Sequence, residues 1–312
     1  MAVIIERPGM LTTIQDAGRH GYQALGVPVA GPMDPWSARL ANRMTGNPDA
    51  AALFEVTLIG PRMRFERDAV VAVTGAVFEL EAGARAAQSP CQLRIRAGES
   101  LGFRTRHGGA RAYVAIDGGV LVPRLLGSAA TDVRARLGGV DGRALRAGDR
   151  VPLGPPAVDV ARCAPGRVAS IAPAARPCAV LPGPLADDWS ETALRALCAG
   201  EFEVTTNSDR MGYRLHGHTA WPEGRAGLTS FPTTRGAVQL PPGGDPIVLM
   251  ADCQTIGGYP VIAVASRASW PMLGQRAPGD RLRFELTTFA QAREAWHRLE
   301  ASLDGIAPRV AA

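Results

Sequence analysis

The side chains able to do chemistry in this sequence gather in four glycine-punctuated stretches. One is Asp252-Cys253-Gln254-Thr255, which follows the apolar run Ile247–Ala251 and leads into Gly257-Gly258-Tyr259-Pro260. A strand ending in hydrogen-bonding side chains beside two glycines sets polar atoms and open backbone at the mouth of a sheet, where small-molecule sites commonly sit. The same residues also suit a hairpin turn that needs glycine for its backbone angles. A second stretch holds Asp209-Arg210. In an irregular turn the acid can face one way as a base or acceptor and the guanidinium the other as a carboxylate anchor; an ordinary turn Asp beside an exposed Arg fits equally.

The third stretch runs from Leu11 to Asp34 through Gln15, Asp16 and Arg19, with glycines recurring and almost no periodicity. Long non-repetitive segments in compact domains are usually functional or disordered, and the Thr, Gln, Tyr and Leu here argue against disorder. The fourth, Leu126–Arg143, carries Ser128, Thr131, Arg134 and Arg143. Its hydroxyls, successive N–H groups and arginines could cradle a carboxylate or phosphate, or form a plain connecting loop.

Other chemistry is excluded by what the chain lacks. All 34 basic residues are arginine, so Schiff-base lysine, biotinyl-lysine and a lysine-bearing phosphate loop cannot occur on this chain. Any anion must be met by arginine, backbone N–H groups or a helix N-terminus. HExxH, GxSxG and paired Cys/His zinc spacings are missing. His216-Gly217-His218 offers two imidazoles without a third ligand, so no metal is expected. Cys253 has no histidine placed to make it a thiolate and reads as a packed thiol.

The elements that position these stretches are expected to be mostly strands. The 312 residues are 46% hydrophobic and 20% charged, with 36 Gly, 25 Pro and few aromatics, a pattern of short apolar runs and many turns. The net charge of +5 is spread along the chain, so acidic partners or small anionic substrates fit better than nucleic acid. Five cysteines without ligand spacing, an N-terminus lacking a signal-peptide core and no long apolar run point to a cytoplasmic protein that does not enter membranes.

In chain order, Val3–Ile5 reads as a strand and Asp34-Pro35 as the cap of a helix over 36–44, with Trp36, Leu40 and Met44 on its apolar face. Residues 50–53 suggest a helical turn. Val70–Thr74 and Val77–Glu81 suggest a hairpin about Gly75. A Gly-acid turn feeding an alternating strand recurs at Gly98-Glu99, Gly148-Asp149 and Gly279-Asp280, as if barrels of related construction repeat. The expected domains are 1–155, a Pro/Ala-rich connector at 156–184, and 185–312. The last contains a helix from Ser190, a hairpin over Gly236–Pro260, and a C-terminal amphipathic helix with Phe289, Ala292, Trp296 and Leu299 on one face.

Taken together, Thr12-Thr13-Ile14-Gln15-Asp16-x-Gly18-Arg19, Gly26-Val27-Pro28-x-x-Gly31-Pro32-Met33-Asp34, Ser208-Asp209-Arg210-Met211-Gly212 and Asp252-x-Gln254-Thr255-x-Gly257-Gly258-Tyr259-Pro260 resemble the biotin-dependent carboxyltransferase / allophanate hydrolase subunit 2 family, in the right order over nearly the whole chain. That family includes the C-type component of 5-oxoprolinases and KipA-like regulators. Ala130, Cys253 and Ile256 depart from its usual residues. The resemblance implies a mainly β protein of two cyclophilin-like β-barrel domains with a few short helices. It implies the C-type component of an ATP-dependent 5-oxoprolinase, which opens 5-oxo-L-proline to L-glutamate with an A-type and a KipI-like B-type companion. Two alternatives stay open: a carboxyltransferase component of a urea/allophanate-type carboxylase, with biotin supplied by a partner chain, and a non-catalytic regulator that binds a KipI-like protein. Asp209, Arg210 and Gln254 are the implied catalytic residues. Gln15, Asp16, Arg19, Asp34, Ser128, Thr131, Gly257, Gly258 and Tyr259 are the implied contacts to a small anionic or amide substrate, and the loops are expected to converge on one anion-receiving cleft. ATP is used by the complex.

Overall fold

The computed structural model describes residues 1–156, 158–164, 166–167, 176–185, 187–217, 221 and 228–308. The chain forms two compact units. The first comprises Met1–Arg19, Ala30–Ala172 and Gly305–Ala312, and the second His20–Val29 and Pro173–Asp304. The protein is mainly β, as expected.

The first unit is one antiparallel sheet. Its order is Gly166–Arg167, Cys91–Ile95, Ala69–Ala82, Ser100–Ile116, Arg62–Phe65, Ala2–Arg7 and Arg150–Pro152. Leu53–Thr57 also pairs with Ser100–Ile116 and carries Leu11–Gln15 on its other side, while Arg85–Gln88 pairs with Ala69–Ala82. Leu11–Gln15, non-repetitive by its sequence, is therefore a regular strand. Thr12, Thr13, Ile14 and Gln15 are all buried, which conceals the two-residue alternation that marks a half-exposed strand.

Residues 69–74 are buried without alternation because both faces of the sheet are covered there. The helix Pro35–Met44 lies on one face with Trp36, Leu40 and Met44 buried, and the Thr74 hydroxyl donates to Ser37 O at 2.7 Å. Each such fully buried large side chain contributes about 1.5–3 kcal/mol. The expected hairpin at Gly75 does not form. Gly75, at φ +77°, is a bulge within one fourteen-residue strand, with Thr74 opposite Tyr113 and Val77 opposite Gly108 on the same partner. The helical turn expected at 50–53 is also absent. Asn42 Nδ2 donates to Asp49 O and Ala51 O, fixing that segment as a turn that enters the strand Leu53–Thr57.

The second unit closes into a seven-stranded barrel. The order is Cys178–Pro182, Val261–Ala265, Ala237–Gln239, Ile247–Leu249, Gly212–His216, Glu201–Val204 and Arg281–Leu286, which returns to pair in parallel with Cys178–Pro182. Phe202 and Phe284 meet edge to face in its interior, 5.8 Å between centroids. The hairpin expected over Gly236–Pro260 is present, with Val238 opposite Val248. The helix Asp188–Ala199 starts on a capping box from Asp187 and Ser190. The helix Phe289–Ala301 forms but does not bury its apolar face: Phe289 is 71% exposed, and Trp296 instead takes the Arg267 guanidinium over its ring at 4.1 Å.

Candidate functional site

In the first unit the expected site residues Gln15, Asp16, Arg19, Ser128 and Thr131 form one buried network where Leu11–Gln15 meets the 126–143 loop. Asp16 acts as a clamp. Its carboxylate accepts from Gly18 N–H (3.0 Å), Ser128 Oγ–H (2.5 Å) and Ala129 N–H (2.7 Å). Thr131 stitches the loop to the strand through Oγ1–H and N–H, both donated to Ile14 O. Gly138 and Gly139 let this loop close. Added Cβ atoms would lie 2.1 Å from Ala130 O and 2.1 Å from Thr131 Oγ1.

Two members of the network retain hydrogen-bonding capacity. The fully buried Arg19 donates Nε–H to Leu125 O (3.1 Å) and Nη2–H to Ala130 O (2.6 Å), while its Nη1 has no acceptor among the described residues. Gln15 donates through Nε2 to Thr13 Oγ1 and Thr131 O, each at 3.0 Å, and its Oε1 is unused. A buried guanidinium held by carbonyls, with no carboxylate among those contacts, has hydrogen-bonding capacity left over.

The backbone of the 126–143 loop offers much less. The N–H groups of residues 128–132, 134, 135, 137, 139, 142 and 143 are already donated within the unit. Arg143, a possible anion contact by sequence, is committed to Asp149 by bonds of 2.7 and 3.0 Å. That bond holds the Asp149 carboxyl below its ordinary value.

Asp34 belongs to a separate network of the same unit. It caps the helix, accepting from Ser37 N–H (2.9 Å) and Ser37 Oγ–H (2.5 Å). Its own N–H donates to Tyr113 Oη at 2.7 Å, and Tyr113 donates to Glu55 at 2.9 Å. Burial, reinforced by Glu55 and Asp34, raises the Tyr113 phenol well above its usual value, so it remains a donor. Glu55 and Tyr113 escape a reading of the sequence by motif. The signal available is an acid inside the apolar run Leu53–Leu58.

In the second unit Asp209 and Arg210 do diverge. Asp209 is exposed and accepts from Met211 and Gly212 N–H, a turn-stabilising role. Arg210 points inward and grips Asp252 bidentately, Nε to Oδ2 and Nη2 to Oδ1, both 2.7 Å, with both residues about 7% exposed. The guanidinium is therefore not the exposed turn Arg of the simpler reading. Its Nε–Nη2 edge is taken by protein carboxylate.

Gln254 is half-buried. Its backbone carbonyl oxygen accepts from Thr233 Oγ1 at 2.7 Å, and its carboxamide nitrogen lies 3.6 Å from where a Gly257 Cβ would stand. Gly257 pairs with Phe231, and Gly258 O accepts from Leu228 N–H at 2.8 Å. Tyr259 is 43% exposed. Cys253 is buried and its thiol is pushed up to about 11, chiefly by burial, so it is a neutral packing group. No metal-binding cluster occurs among the described residues, and no helix is long and apolar enough to cross a membrane. His218 lies outside the described residues; His216 pairs with Asp245 at 3.2 Å.

Comparison with known proteins matches this arrangement to one family. The chain is 35% identical over 291 residues to the C component of 5-oxoprolinase from Escherichia coli (strain K12), covering 93% of each protein. It superposes on the crystal structure of TTHA0988 with a TM-score of 0.80 at 37% identity, covering 91% of this chain but 55% of that one. It superposes on the K. lactis urea amidolyase with a TM-score of 0.83 at 29% identity, covering 98% of this chain and 20% of that one. Residues 25–286 match the model of the carboxyltransferase domain, subdomain A and B, and the chain belongs to that family.

Proposed function

We propose that this chain is the C-type component of an ATP-dependent 5-oxoprolinase, opening 5-oxo-L-proline to L-glutamate together with A-type and B-type companions. The observation that carries the reading is the match to the C component of a 5-oxoprolinase, which spans 93% of both lengths. The site chemistry agrees. Arg19, with an unspent N–H and no lysine competing, suits the carboxylate of a small acid, while the unused carboxamide oxygen of Gln15 in the same network suits its amide N–H. Asp209 stands exposed as an acceptor in the second unit.

ATP fits this chain poorly. Eleven backbone N–H groups of the 126–143 loop are donated internally, and the chain has no lysine to reach a phosphate. Nucleotide binding therefore falls to the companion chains. Mixing the purified chain with both companions, ATP and 5-oxo-L-proline is expected to release glutamate, with omission of any one component abolishing release. A verified three-component complex that releases none overturns the reading.

The likeness to the K. lactis urea amidolyase favours a second reading, a carboxyltransferase that accepts carboxylate from biotin on another chain. With no lysine to bear it, biotin would have to arrive on a partner. Carboxylation of urea dependent on an added biotinyl carrier, with no glutamate formed from 5-oxo-L-proline, would select it.

A further inference from the structure

We infer that the helix Phe289–Ala301 of the second unit, with the arginine beside it, is a docking face for an acidic companion protein. The helix is thirteen residues long and none of them is buried. A helix of that length is marginal by itself in water and normally owes its stability to the packing of an apolar face. Here a capping box and the Glu294–Arg298 pair support it locally, while its apolar residues stay at least partly in solvent. Phe289, Arg293 and Trp296 follow one another at helical spacing on one face, and Phe289 is 71% exposed.

Charge decides what covers this face. Arg267, exposed on the adjoining turn Arg267–Ser269, lies 4.1 Å from the ring centroid of Trp296 and 5.8 Å from that of Trp270. Trp270 also carries the Arg235 guanidinium at 4.4 Å. Stacking holds the Arg267 guanidinium in place and leaves its N–H groups unspent. Its side chain makes no hydrogen bond or ion pair among the described residues, and neither does that of the exposed Arg293. By contrast, the exposed Arg281, Arg283 and Arg298 of the same unit each pair with a glutamate. Two unpaired guanidiniums beside a phenylalanine and a tryptophan have the composition of an interface hot spot, and they call for carboxylates opposite. A second copy of this chain does not supply them: a two-fold contact sets this face against itself, arginine to arginine, on a chain of net charge +5. An anionic membrane is a poorer match, because Glu294 and Glu300 share the helix. The occupant is therefore a protein that presents carboxylates round an apolar recess, and the inference rests on the reading of this chain as one component of a complex.

The test measures by calorimetry how the purified A-type and B-type companions, each alone and both together, bind the full chain and its variants Phe289→Ala, Arg267→Ala and Arg293→Ala. Arg106→Ala, which removes an exposed arginine of the first unit, controls for loss of charge. One companion is expected to bind, roughly tenfold or more weakly to Phe289→Ala and to Arg267→Ala, and unchanged to Arg106→Ala. Raising NaCl from about 50 to about 500 mM is expected to weaken binding of the unaltered chain more than that of Arg267→Ala. The melting temperature of Phe289→Ala should hold, and hydrogen exchange over 289–301 should slow when the companion binds. Companion binding unaltered in both Phe289→Ala and Arg267→Ala, or weakened equally in Arg106→Ala, overturns the docking face and leaves the 5-oxoprolinase reading standing. Binding of neither companion overturns the face as well. Self-association, or binding to phosphatidylserine vesicles, that is lost in Phe289→Ala while companion binding stays intact overturns it in favour of a second copy or a membrane. A complex that forms but releases no glutamate defeats the proposed reaction alone, and the binding series still decides the face.

Discussion

At the scale of single residues, the pair Arg210–Asp252 carries the largest structural consequence. Asp252→Asn would leave a buried guanidinium with half its bidentate partner, and removing one member of such a pair costs about 3–5 kcal/mol. The expected result is a large drop in the urea midpoint with little change in slope. Arg210→Lys is expected to restore little, because an ammonium cannot span both carboxylate oxygens. Cys253 gives a second check. With its thiol pushed up to about 11, it should resist iodoacetamide at about pH 7.5 in the folded protein and react in urea, as read by mass spectrometry. The sequence marks both stretches of this region but not their pairing. Arg210 and Asp252 are 42 residues apart and meet because Gly212–His216 pairs with Ile247–Leu249.

At the scale of elements, the three Gly-acid turns of the sequence prove to be one device used three times. Gly98, Gly148 and Gly279 have φ of +85°, +89° and +89°. Each glycine N–H donates to a neighbouring strand, at Phe65, Ile5 and Val204 O respectively, always at 2.8 Å. The following acid accepts from the N–H three residues back, at Arg96, Arg146 and Ala277. Substituting the acid by its amide at Glu99 or Asp280 should cost about 0.5–1.5 kcal/mol in chemical denaturation. Asp149→Asn should cost more, since that carboxylate also holds Arg143 by two part-buried bonds, whereas Glu99 holds Arg85 by one exposed bond. Asp149 has a folded pKa below 3.8, so its contribution is complete above that value and is lost as pH falls through the lowered one. Stability measured downward from about pH 5 should therefore decline less steeply in Asp149→Asn than in the unaltered chain. These turns are legible in the sequence because their chemistry is local. Gly75 misleads because a positive φ serves a turn and a bulge alike, and only the seventeen-residue partner Ser100–Ile116 decides between them.

At the scale of the whole molecule, the β class and the carboxyltransferase family are legible, since strand punctuation and motif order survive in one dimension. The unit boundaries are less so. The 20–29 segment groups with the second unit, an exchange no composition shift announces.

The barrel of the second unit is sealed by parallel pairing of Cys178–Pro182 with Arg281–Leu286, its first strand with its last. A ribosome making this chain must therefore leave one edge of the opening strand unpaired until the last strand emerges, even after Val261–Ala265 has taken the other edge, and closure is a late event with a high loop-closure cost. Cys178 sits on that seam, fully buried, with its thiol pushed up to about 12 by burial. Its availability to an alkylating reagent should thus time the sealing step, turning a silent sulfur into a clock for the maturation of nascent chains.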